Sequence, residues 1–213
     1  MEVTGLFAGK PQPFGPRKAP SSIIKQAFDS LSIEIDGAIE DEQGNKKLHG
    51  GPEMAVHQYA QASYLLLQQA FPEAAPLMQF GSIGENISAP AMNESNVCIG
   101  DVYQMGSVVL QVSSPRAPCA KINHRYKLNK VDHFVLQEGI TGWYYRVLEP
   151  GILNIGDVIK LKERNERPVS VRDVMFMTKA PDGLRYSQAQ IEQAVQSDGL
   201  APEWQEKLKR KLR

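Results

Sequence analysis

Apolar positions along the first three-quarters of the chain recur mostly every second residue. Leu31, Ile33 and Ile35 alternate with polar residues and Ile39 follows Gly37, the pattern of a half-buried strand. Met54–Tyr59 reads as another strand, and Val108, Leu110 and Val112 alternate within Ser107–Ser113. Trp143–Leu148 is rich in strand-favouring residues. Gly151 and Gly156-Asp157 mark turns, after which Val158, Ile159 and Leu161 close the set. Two helical patterns interrupt. Gln61–Phe71 carries Tyr64, Leu65, Leu67 and Phe71 and stops at Pro72; Lys130–Glu138 carries Val131, Phe134 and Val135 before Gly139. Many short strands separated by turn residues predict a mainly β, barrel-like or folded-sheet domain over residues 1–165.

From Pro168 the period lengthens. Val171, Val174 and Met175 mark one short helix and Ile191, Ala194 and Val195 a second. Leu200, Trp204, Leu208 and Leu212 lie four apart, the stripe of a third. Pro202 and Glu203 suit the start of that helix, and Lys209, Arg210, Lys211 and Arg213 suit its negative end. Three helices over 166–213 make a bundle too small to hold alone. Their apolar faces must cover the barrel, a second copy of the chain (a homodimer) or another protein. Arg164–Pro168 reads as the linker.

Composition narrows the class. Lys+Arg and Asp+Glu each number 24, so the net charge is zero, against the basic excess of a general nucleic-acid coat. No apolar run approaches the roughly 20 residues of a membrane span. The start of the chain lacks a charged-then-apolar signal pattern. Cys98 and Cys119 do not form a C-x-x-C pair, and the expectation is a cytoplasmic protein with reduced thiols.

Candidate chemistry centres on Pro115-Arg116-Ala117-Pro118-Cys119-Ala120-Lys121, where one cysteine sits between two cations on a proline-stiffened segment after a strand. Thiolates rather than thiols attack electrophiles and bind soft metals, and flanking cations are the usual means of favouring them. The competing reading is a small buried hydrophobe. Lys46-Lys47-Leu48-His49-Gly50-Gly51 puts cations and a histidine before paired glycines, either an anion cradle or a polar turn. Asn86, in the polar loop Phe80–Ile87, offers an amide donor and acceptor to a heterocycle, or serves turn chemistry. His57 reads as a structural histidine and Cys98 as inert core. Tyr59, Trp143 and Tyr144 are candidates for stacking on a flat base or for packing.

Taken in order, Lys47-Leu48-His49-Gly50-Gly51-Pro52, Phe80-Gly81-x-x-Gly84-Glu85-Asn86, Asn93-Glu94-Ser95-Asn96-Val97-x-Ile99-Gly100-Asp101 and Gln111-Val112-Ser113-x-Pro115-Arg116-x-Pro118-Cys119-x-Lys121 resemble a MOSC domain. The tail is similar to the three-helix extension of a bacterial subgroup tied to 6-N-hydroxylaminopurine resistance. The resemblance spans essentially the whole chain. It implies a β-barrel-like fold, molybdenum cofactor (molybdopterin) as prosthetic group and Cys119 as metal ligand and catalytic residue. It further implies Lys47, His49, Gly50 and Gly51 near the cofactor's anionic end, Asn86 near the pterin, and Arg116 and Lys121 facing negative charge. Glu85 stands where the mitochondrial amidoxime-reducing relatives carry an arginine. The implied reaction reduces an N-hydroxylated compound (a hydroxylaminopurine, an amidoxime or a hydroxylamine) to an amine and water. With neither a dinucleotide-binding fingerprint nor an Fe–S cysteine set in the chain, electrons would come from a separate flavin-dependent reductase. Two rival readings are a sulfur carrier with a Cys119 persulfide and a cofactor-binding module without turnover.

Overall fold

The computed structural model describes residues 1–44, 50–179 and 186–212 and has thirteen strands among them. They are β1 (Gly5–Ala8), β2 (Gln12–Phe14), β3 (Ala19–Ser21), β4 (Gln26–Phe28), β5 (Ser30–Glu34), β6 (Gly37–Ala38), β7 (Val56–Gln58), β8 (Ile87–Ser88), β9 (Val102–Met105), β10 (Val108–Pro115), β11 (Trp143–Glu149), β12 (Gly151–Asn154) and β13 (Ile159–Glu163). The segments read as strands supply β5, β7, β10, β11 and β13. Eight of them form one curled mixed sheet, in the order β13-β9-β10-β11-β7-β8-β1-β4. All its pairings are antiparallel except β7 with β8. β12, β5 and β6 make a smaller sheet, and β2 and β3 a hairpin. The fold is the mainly β, barrel-like class that the alternation predicts.

Alternation explains the core. Val108, Leu110 and Val112 of β10 face inward, as do Trp143, Tyr145 and Val147 of β11. Leu110 pairs with Val147 and Val112 with Tyr145. Each such side chain contributes roughly 1.5–3 kcal/mol through burial. Two expectations are corrected. Ile35 and Ile39, taken to continue the β5 alternation, are 47% and 60% exposed, because a turn at Ile35-Asp36 ends β5 and reverses the chain into β6, and Ile39 lies in the turn after it. Val158 and Leu161 are also exposed and only Ile159 is buried: Val158 precedes β13, and burial along this edge strand stops at Ile159.

The predicted helices appear as α1 (Gln61–Ala70), followed by a 3-10 segment at Pro72–Leu77, and, past an unpredicted short helix α2 (Lys121–Tyr126), as α3 (Val131–Glu138). Only Ile122 and Tyr126 of α2 are buried, too few apolar positions to show a period in the sequence. Tyr64 and Leu67 of α1, Ile122 and Tyr126 of α2 and Val131 and Val135 of α3 share a small core of their own. That core fixes the start of α2 beside the end of β10.

The tail forms α4 (Val171–Lys179), α5 (Gln188–Val195) and α6 (Pro202–Lys209). A Ser187–Gln190 capping box opens α5, and Pro202 occupies the first turn of α6 as expected. Of the three partners open to the helices, the barrel is the one they pack on. Val171, Val174, Leu200, Trp204 and Leu208 belong to the same apolar cluster as Val97, Val112 and Tyr145. Backbone hydrogen bonds join Val171 to Val97, Ile99 to Val169 and Ala201 to Ser113. Arg164 is pinned by buried Asp101, donating through Nε at 2.8 Å and Nη2 at 2.6 Å. The change of pattern near residue 165 is our proposed division of the chain, and apolar packing is continuous across it.

Candidate functional site

β10 ends at Pro115 against Trp143, and the Arg116 N–H donates to the Gly142 carbonyl at 3.0 Å. This directs Arg116 inward and sends the chain through Ala117-Pro118-Cys119 into α2. Next to it, Tyr144 of β11 pairs with His57 of β7, and the His57 N–H donates to Asn86 Oδ1 at 3.0 Å. The sheet therefore sets Arg116, Tyr144, His57 and Asn86 side by side. Together with Lys25, Asp41, Ile83, Cys119 and Lys121 they line a solvent-open cleft of about 700 Å³.

Arg116 is the dominant charge in this cleft. Its side chain is buried, Nη2 donates to the Ile83 carbonyl at 3.2 Å, and Nη1 has no partner. Among the described residues no carboxylate forms an ion pair with it. A buried guanidinium with an unsatisfied donor is costly unless an anion completes it. Burial works against its charge, yet Tyr144 and Cys119 beside it outweigh that and raise its pKa. Cys119 is half-buried on the same cleft, and its thiol is free.

Lys25 is a second cation here, ion-paired with Asp41. Burial lowers its pKa and Asp41 opposes that. Asp41 is held in turn by the Gly9 N–H at 2.8 Å and by Asn86 Nδ2 at 2.9 Å. Burial, reinforced by the charge of Arg116, holds the His57 pKa well below its ordinary value. The imidazole is neutral at pH 7, and its Nε2 has no partner. Tyr144 is pushed toward the protonated phenol by burial, which Arg116 only partly offsets.

The structure brings some predicted residues together and not others. Cys119, Arg116, Lys121 and Asn86 share the cleft. Lys121 Nζ donates to the Pro20 carbonyl at 3.1 Å. Asn86 spends its amide on the protein, accepting from His57 and donating to Asp41 and to the Phe7 carbonyl at 3.1 Å. Gly50 and Gly51 are outside the lining, and Lys47 and His49 fall outside the described residues. Tyr59 and Trp143 are wholly buried in the protein, and of the three stacking candidates only Tyr144 reaches the cleft. Cys98 is buried and burial raises its pKa, as befits inert core.

Glu85 is buried and stands outside the cleft lining. It accepts from Tyr64 Oη at 2.7 Å and the Gly81 N–H at 2.6 Å. Sequence reasoning missed Lys25, Asp41 and the cleft position of His57. The one local signal was an ionisable residue, Lys25, set between apolar Ile23-Ile24 and Ala27-Phe28.

The residues fit a metal that brings most of its own donors. No group of three or more His, Cys, Asp and Glu side chains suited to a metal ion occurs among the described residues. Cys119 could supply one soft sulfur, which suits a metal carried in a dithiolene, and the cationic walls suit a cofactor with anionic groups.

Comparison with known proteins places this geometry in context. The family model described as MOSC domain matches residues 45–160. Protein YiiM of Escherichia coli (strain K12) is 32% identical over 202 residues, covering 93% of this chain and 87% of that protein. A protein named Reductase from Gibberella moniliformis is 38% identical over 162 residues, 75% of this chain but 29% of its own. The crystal structure of YiiM from Escherichia coli superposes with a TM-score of 0.81 at 25% identity, covering 100% of this chain and 92% of that one. The matched span holds the cleft-lining segment from Met54 to Tyr144, Cys119 included, and the chain is a member of the MOSC-domain family.

Proposed function

We propose that the chain is a molybdenum-cofactor-dependent reductase of N-hydroxylated compounds, among them hydroxylaminopurines, amidoximes and hydroxylamines. The observation that carries this reading is the pairing, in one cleft, of the free Cys119 sulfur with the buried, incompletely satisfied guanidinium of Arg116. When bound, the cofactor supplies the two-electron chemistry that converts N–OH to N–H and water. The chain's own part is to hold and orient. Cys119 would ligate the metal, and Arg116, Lys25 and Lys121 would face the cofactor's negative charge. Tyr144, half-buried on the wall, would offer a phenolic O–H and a ring face to a planar substrate. Neutral His57 adds no cation at neutral pH.

Electrons would come from a flavin-dependent reductase. Among the described residues no helix is long and apolar enough to cross a membrane. We infer a cytoplasmic location, where free thiols and a reductase would coexist.

The test uses protein made in a host that synthesises the cofactor. Wild type should carry molybdenum and reduce 6-N-hydroxylaminopurine with dithionite as donor. Cys119→Ser should lose both, and Cys98→Ser should keep both. Wild-type protein with sulfur on Cys119 but no molybdenum would sink the reading.

A further inference from the structure

We propose that the face built from α2 and the β2–β3 hairpin is the docking surface for an acidic, flavin-bearing electron-donor protein, an inference resting on the redox reading above. The chain as a whole is neutral, with 24 basic and 24 acidic residues. Its charge is nevertheless segregated. Residues 3–28 and 102–131 contain no Asp or Glu, while they carry Lys10, Arg17, Lys18, Lys25, Arg116, Lys121, Arg125, Lys127 and Lys130.

The fold brings these two segments together. Lys121 Nζ donates to the Pro20 carbonyl at 3.1 Å, and a methyl group placed on Gly15 would lie 3.2 Å from the His124 ring. Gly15, Pro16, Asn123, His124 and Lys127 share one surface hollow. Arg17, Lys18, Lys127 and Lys130 are exposed on this face, and none of them forms an ion pair among the described residues. Asp132 stands at its border with its carboxylate engaged by Asn123 Nδ2 at 2.9 Å and by the His133 N–H at 2.8 Å.

A second observation concerns the backbone. Four non-glycine described residues have positive φ, and three of them are lysines of this face: Lys18 at 47°, Lys127 at 56° and Lys130 at 66°. Glycine or asparagine would occupy the left-handed region more easily. Lysine stands at three exposed positions in the left-handed region, and none of the three forms an ion pair among the described residues. Strain kept at such positions points to function rather than folding.

Position supplies the third element. Lys121 belongs to this face and also lines the Cys119 cleft, so a protein seated here stands at the cleft mouth. A neutral molecule with its exposed cations gathered on one face gains association rate and orientation with an acidic partner. An electron donor needs that approach, because electrons must reach the cleft from outside.

The experiment uses the cofactor-loaded full chain and photoreduced flavodoxin, an acidic flavoprotein, as the donor probe. The variant is Lys18→Gly/Lys127→Gly/Lys130→Gly, which removes three charges and relieves the backbone, so folding is preserved. Wild type should bind flavodoxin at low salt and lose roughly tenfold in affinity between about 20 and 300 mM NaCl. The triple variant should bind roughly tenfold more weakly at low salt, and its flavodoxin-driven turnover should fall in step, while dithionite-driven turnover stays at the wild-type rate. Equal flavodoxin binding by wild type and variant would overturn the proposal. So would tighter wild-type binding to duplex DNA or to phosphatidylserine vesicles than to flavodoxin. Charge-dependent binding of flavodoxin without turnover from either donor would uphold the docking surface and refute the reductase reading instead.

Discussion

At the scale of single residues, buried charge distinguishes the cleft from the rest of the interior. Arg116 and Glu94 illustrate two outcomes. Arg116 keeps a donor unsatisfied beside the cleft, where a ligand can complete it. Replacing it with Gln should leave the fold intact but weaken cofactor retention roughly tenfold or more, since a charged hydrogen bond contributes about 1.5–3 kcal/mol. Pterin content after gel filtration reads this out, and full retention would remove Arg116 from the binding wall. Glu94 has no such outlet. It accepts from the Gly142 N–H at 2.7 Å, and burial raises its pKa to about 7. Its folded pKa therefore lies above its unfolded one. The stability it contributes is complete below about pH 4.5 and is lost as pH rises through about 7. Glu94→Gln keeps an acceptor for Gly142 and cannot ionise. It should raise stability at pH 8 by about 2–3 kcal/mol and flatten the decline in denaturation midpoint between pH 5 and 8. An unchanged pH profile would show that Glu94 titrates normally.

Elements act on the site through the places where their backbones touch. Gly142 precedes β11 with φ 74°, and a β-carbon there would meet the Gln58 carbonyl at 2.7 Å and His57 Nε2 at 2.8 Å. The same residue takes the Arg116 N–H through its carbonyl. Gly156, in the turn before β13, has φ 88° but nothing within 4 Å of the added carbon. Gly156→Ala should cost only the left-handed conformation, about 1–2 kcal/mol. Gly142→Ala should cost roughly 2–4 kcal/mol, because it adds a backbone clash to that strain, and should also reduce bound cofactor. Urea denaturation of the two variants separates the terms, and equal losses would mean that β7 and β11 shift apart freely.

For the molecule as a whole, the question is what the tail does. Its residues Val171, Val174, Leu200 and Leu208 are wholly or almost wholly buried in the core that contains Val112 and Tyr145. The helices predicted as a bundle resting on something else complete the barrel's own interior. A chain ending at Asn165 should expose Val97, Ile99 and Val112 and fail to give soluble, cooperatively folding protein. Circular dichroism and analytical size measurement check this. A soluble truncated chain with wild-type thermal midpoint would show that the barrel closes without the tail.

Much of this was legible beforehand, for a physical reason. Period-two alternation in β10 and β11 and four-residue spacing in α6 are local consequences of which face is buried, so those elements and the mainly β class followed from the chain alone, whereas short elements such as β2, β8 and α2 carry too few apolar positions to show a period. Cys119, Arg116 and Lys121 were legible because the chemistry of that segment lies in seven consecutive residues. The sequence alone could not show that Lys25, Asp41, His57 and Tyr144 join them, for these come from four separate segments whose meeting depends on the order of strands in the curled sheet. Nor could it show that Asn86 spends its amide on Asp41 and His57, or that Glu85 turns inward. A side chain's direction is set by the partners that tertiary packing provides. The acid-free stretches were present in the sequence throughout. They became one surface only when the hairpin at Pro20 met the helix at Lys121, because charges far apart along a chain act together only once folding brings them within a Debye length.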